Sequence, residues 1–93
     1  MIVSTYRGPA IVVLPDGTLF KVGAHLQSTA APGMQMWRGV ITSDNKQALW
    51  DTVTVSRATI RLPSGRDGMF APVGLEGFAG RELRLNGHGA APF

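Results

Sequence analysis

Catalysis or metal binding in this chain would have to be assembled from two histidines, six carboxylates and hydroxyl groups, because it has no cysteine. A thiolate nucleophile, a thiolate metal site and a disulfide framework are thereby excluded. His25 and His88 have no partner at ligand spacing: there is no His-x-x-x-His and no acid pair beside either. His88 lies between two glycines and reads as a solvated side chain, whereas His25 ends a strand pattern and reads as structural. Asp16, Asp44 and Asp67 sit where turns and caps use carboxylates. Asp51 and Glu76 could form a carboxylate pair only if the fold brought them together. Gly74-x-x-Gly77-x-x-Gly80 is glycine-rich but lacks the lysine and long following helix of a phosphate loop. No residue is therefore assigned a catalytic, cofactor-binding or metal-binding role, and the chain is expected not to be an enzyme.

Binding residues are better represented. Seven arginines and two lysines exceed six acids by three charges. Arg57 and Arg61 alternate onto one strand face, Arg66 follows in the adjoining turn, and Arg84 faces outward on the last strand. Such a face, with aromatic residues near it, would suit single-stranded nucleic acid on a small barrel, where arginine holds phosphate. Met34, Met36 and Trp37 form a second cluster. Methionine is common at adaptable contact surfaces, so these three residues mark a candidate edge for a protein partner or a small apolar ligand.

The elements that must position these residues are strands. Ala10-Ile-Val-Val-Leu-Pro-Asp-Gly-Thr-Leu-Phe-Lys-Val22 reads as a β-hairpin, with Pro15, Asp16 and Gly17 supplying the corner. Ala58-Thr-Ile-Arg-Leu-Pro-Ser-Gly65 repeats it, and Phe20 and Phe70 follow the two turns. The second turn, residues 63–68, reads as two residues longer than the first. Residues 2–6 read as a separate first strand, with a break at 7–9. Ile11 and Val13 read as buried on the face opposite Ala10, Val12 and Leu14. Residues 28–33 read as a loop of small side chains, and 34–42 as a strand bent at Gly39. The helical candidate is 43–50, capped by Ser43. Residues 51–55 lead into a strand, 74–80 form a loop, 81–85 form the last strand, and 86–93 form a glycine-rich tail anchored by Phe93. Twelve glycines and six prolines leave little room for long helices. Strands spaced at roughly ten residues predict an all-β fold. The expectation is a single small antiparallel β-barrel of six to eight short strands, with at most one short helix, over residues 1–93. Closure removes edges that so apolar a sheet would leave exposed.

Tyr6-Arg-Gly-Pro-Ala10, Leu14-x-Asp16-Gly17, Trp37-Arg-Gly-Val40, Ala58-x-Ile60-x-Leu62-Pro63-x-Gly65 and Asn86-Gly-His-Gly-Ala-Ala-Pro-Phe93 follow one another along the chain. In that order they resemble an uncharacterised small β-domain family of high-GC Gram-positive bacteria. Its members occur alone or fused to the C-terminus of flavin-dependent monooxygenases. The resemblance implies an accessory domain with a protein partner, such a monooxygenase in this case, and supplies no cofactor or catalytic residue. Residues 28–36 depart from the pattern in being richer in alanine and methionine.

Apolar content of 44% and charged content of 16% are those of a globular chain. The first residues lack the basic-then-apolar pattern of a signal peptide, and no stretch approaches the ~20 apolar residues of a membrane helix. The expected setting is the cytoplasm. The expected role is a non-catalytic binding module for a protein or small apolar ligand, with single-stranded nucleic acid on the arginine face as the alternative.

Overall fold

The computed structural model describes residues 2–31, 34–73 and 78–93. Seven strands and one helix follow one another as β1 (Ile2–Val13), β2 (Leu19–Ala31), β3 (Met34–Thr42), α1 (Lys46–Val53), β4 (Ala58–Arg61), β5 (Asp67–Pro72), β6 (Phe78–Ala79) and β7 (Glu82–His88). Six of them close a barrel in the order β1-β2-β3-β7-β5-β4, with every pairing antiparallel. The two-residue β6 adds to the edge of β7 that β5 also uses, at Glu82 and Leu83. The protein is thus a six-stranded closed antiparallel β-barrel with one short helix.

Period-two alternation fills the interior. Val12, Leu26, Ile41, Ile60, Phe70, Leu83 and Leu85 come from all six barrel strands and are buried in one cluster. One outward face is less apolar-packed than its sequence suggests. Ile11 and Val13 are half-buried on the outside of the wall, not sealed beneath a second layer.

The two hairpins are equivalent in detail. Leu14 N–H donates to the Thr18 carbonyl at 2.9 Å and Leu62 N–H to the Arg66 carbonyl at 3.0 Å. Gly17 and Gly65 N–H each reach back to the preceding leucine carbonyl at 2.9 Å. Gly17 has φ 92° and Gly65 φ 89°. Leu14 and Leu62 are both buried. The second turn is not longer than the first: Arg61 pairs with Asp67 as Val13 pairs with Leu19.

Several boundaries differ from the sequence reading. β1 runs unbroken through Arg7-Gly8-Pro9, because β4 pairs with it only from Ile11 onward. Pro9 therefore lies on a stretch with β2 on one side only, where its missing N–H costs no ladder bond. β2 continues to Ala31, so residues 28–31 are strand; Ser28 is buried there, its Oγ 2.8 Å from that of Ser4. Residues 32–33 lie outside the described part, as do 74–77 of the expected 74–80 loop. The helix starts three residues late. Asn45 caps it by accepting from Ala48 N–H at 3.0 Å, while Ser43 Oγ accepts from Asn45 N–H at 3.0 Å. It also extends over residues 51–53, expected to approach a strand. Ala48, Leu49 and Thr52 bury its inner side against the core cluster. β7 reaches His88, so Asn86 and Gly87 belong to a strand and not to a tail.

Beyond it, residues 91–93 fold back. Ala91 and Pro92 are buried, and the Phe93 ring meets Trp37 edge-on, with centroids 6.3 Å apart at 88°.

Candidate functional site

The barrel wall presents two contrasting outer faces, and register determines what each contains. On β2, β1, β4 and β5, Leu19, Val13, Thr59 and Met69 stand directly opposite one another in a single row. Leu19 is 59% and Met69 45% exposed. The next row is Lys21, Ile11, Arg61 and Asp67. Beside it, Pro9, Ile11, Leu62 and Pro63 line a shallow groove of about 350 Å³, bordered by Lys21 and Arg61. This face is apolar at its centre, with charges at its margin.

On β1, β2, β3 and β7 the rows are polar. Arg7, His25, Val40 and Arg84 form one row; Thr5, Gln27, Arg38 and Asn86 form the next. Arg7, His25, Arg38 and Arg84 are all exposed, and none has an ion pair among the described residues. The third row, Gly23, Thr42 and Glu82, brings in an acid.

The structure separates the four arginines read as one face. Arg61 is held by Asp67 at 3.0 Å through Nε and 3.4 Å through a second nitrogen, a bidentate pair that cancels its charge locally. The Asp67 hydrogen bond, with its charge, raises the Arg61 pKa. Arg66 donates to the Ala91 carbonyl at 3.4 Å and so tethers residues 91–93. Arg57 is exposed ahead of β4. Arg84 belongs to a different part of the wall, between β3 and β5.

The methionine and tryptophan cluster also divides. Trp37 is 2% exposed and does not reach the surface as a contact residue. It packs where Gly87 and Gly68 leave room: a Cβ on Gly87 would fall within its ring, and one on Gly68 would lie 3.0 Å from it and 2.8 Å from Pro92. Among the described residues no acceptor reaches its buried Nε1. Met36 is exposed and extends the polar face beyond Arg38. The Met34 side chain lies outside the described part, as does Glu76, the possible partner of Asp51.

Neither histidine is buried: His25 lies mid-strand and His88 at the end of β7, both exposed. No group of three or more His, Asp or Glu side chains comes together among the described residues. The lowered Asp16 pKa has a local cause in the hydrogen bonds from Thr18, whose N–H donates to Oδ1 at 2.9 Å. No helix is long and apolar enough to cross a membrane among the described residues.

No protein-family model, no curated protein and no solved structure matches this chain.

Proposed function

We propose that the protein is a non-catalytic binding module that docks a protein partner through the apolar outer face of β2, β1, β4 and β5. The observation that carries this reading is the row Leu19, Val13, Thr59 and Met69, in which Leu19 and Met69 are exposed and Val13 and Thr59 half-buried. Exposed apolar side chains rimmed by charge are a usual mark of a protein contact. The barrel interior is occupied by its own side chains, which favours a partner outside over an apolar ligand within. Asp16 and Arg61, the groups with shifted pKa values among the described residues, have structural explanations, which favours recognition over catalysis. The family resemblance makes a flavin-dependent monooxygenase the first partner class to test.

The experiment places a photo-crosslinking amino acid at position 19 or 69 in cells of the source organism. Positions 5 and 27 on the polar face serve as controls. One protein should be recovered from both apolar positions and from neither control, and Met69→Asp with the probe at 19, or Leu19→Lys with the probe at 69, should abolish the crosslink without changing the melting temperature. Equal recovery from all four positions would reject the docking face.

A further inference from the structure

The polar face is a site in its own right. We infer that it binds the phosphodiester backbone of single-stranded nucleic acid, through Arg7, Arg38 and Arg84 assisted by His25. Val40 is the short residue at the centre of its row, and around it lie His25, Gln27, Arg38, Arg84 and Asn86. They enclose a depression of about 510 Å³. Arg38 and Arg84 are diagonal neighbours across the β3–β7 ladder, since Arg38 pairs with Asn86 and Arg84 with Val40. Diagonal positions lie roughly 7–8 Å apart and are bridged easily by long side chains, so both guanidinium forks can close on one phosphate. Gln27 and Asn86 add amide donors beside them. A second depression shares His25 and Val40 and continues to Arg7, with Glu82 and Thr42 at its far side.

Arg7 and Arg84 stand at opposite ends of a row three strand spacings long, about 14 Å. That is longer than one phosphate group, and neither this row nor the Thr5, Gln27, Arg38 and Asn86 row carries an acid, Glu82 lying in the row on its other side. A linear polyanion matches this track better than a single small anion. Duplex recognition would place an element in a groove, whereas this face is a curved barrel wall that carries short side chains between arginines. Of the arginine face legible in the sequence the site keeps Arg84 and leaves out Arg57, Arg61 and Arg66. It is also independent of the apolar docking face, and either can fail alone.

Fluorescence anisotropy with a labelled oligothymidylate, its RNA counterpart, a duplex of equal length, inorganic phosphate and polyglutamate tests the inference. Two phosphate contacts on a single strand, one made by Arg38 with Arg84 and one by Arg7, give a salt slope of about −1.4, a weakening of roughly 7-fold between about 50 and 200 mM salt. Arg38→Gln with Arg84→Gln should lower the slope to about −0.7 and leave the melting temperature unchanged, because both side chains are exposed. Arg61→Gln should change neither. Inorganic phosphate should compete weakly and polyglutamate hardly at all. Unchanged binding in the Arg38, Arg84 double variant would overturn the inference, as would equal competition by polyglutamate, tighter binding of duplex, or no binding at the lower salt.

Discussion

Trp37 can lie against β7 because residue 87 has no side chain, and this one absence organises the end of the barrel that residues 91–93 cover. Gly87→Ala would push a methyl into the indole. Overpacking of this kind costs about 1–3 kcal/mol, a fall in melting temperature of at least ~4 °C in a domain this small. A thermal melt reads it directly; a variant melting with the parent would mean that the ring moves aside freely. Asp16 gives a second prediction at this scale. The Thr18 hydrogen bonds hold its carboxyl below the usual range. A carboxyl depressed on folding stabilises the native state above its unfolded pKa, and the effect is lost as pH falls through the folded value. The melting temperature of Asp16→Ala should lie below the parent's near neutrality, and the gap should close below about pH 3.9 as the carboxylate protonates. A gap that stays constant down to strong acid would assign the effect to something other than the charge.

The hairpins show how much an element can declare about itself. Leu-Pro-Asp-Gly and Leu-Pro-Ser-Gly predict a reversal at the glycine, and both glycines adopt a φ near +90° that other residues rarely take. Gly17→Ala and Gly65→Ala should therefore each cost on the order of 1–2 kcal/mol. The antiparallel pairing of β1 with β4 sends the two tips to opposite ends of the barrel, so the double variant should show the sum within ~0.5 kcal/mol. Denaturant titration of the three variants tests this, and very unequal single costs would break the equivalence. The elements misread from sequence were those whose cause is not local. Arg7-Gly8-Pro9 carries a break signal, but the strand survives because β4 does not reach it. Residues 28–31 look like a loop by composition, yet pairing with β1 and β3 keeps them extended, with Ser28 and Ser4 meeting across the ladder. Ser43 looked like the cap because serine suits that role; it instead supports the turn that delivers Asn45.

Across the whole molecule, the barrel was legible and its surface was not. Alternation identified that Arg84 points outward. It could not say that β7 would close against β3, and that pairing, between residues forty or more apart, is what sets Arg84 beside Arg38. Arg61 reads as a candidate nucleic-acid contact because nothing local says that Asp67 will stand directly across from it. The closing segment was legible for a simpler reason: a glycine- and alanine-rich stretch has little to order it except its aromatic residue. Pro92 is fully buried, Phe93 packs on Trp37, and Arg66 holds the Ala91 carbonyl. Full burial of a phenylalanine is worth roughly 1.5–3 kcal/mol, and Phe93 is only partly covered. Deleting residues 90–93 should therefore cost about 1–2 kcal/mol once Pro92 is included, lowering the melting temperature by several degrees at ~4–8 °C per kcal/mol. Stability alone would not show where the segment sits. In a Trp50→Phe background Trp37 is the sole tryptophan, and uncovering it should shift its emission to longer wavelength. The truncation should produce both changes together; a lower melting temperature with unshifted emission would place the lost contacts away from Trp37 and contradict the packing described above.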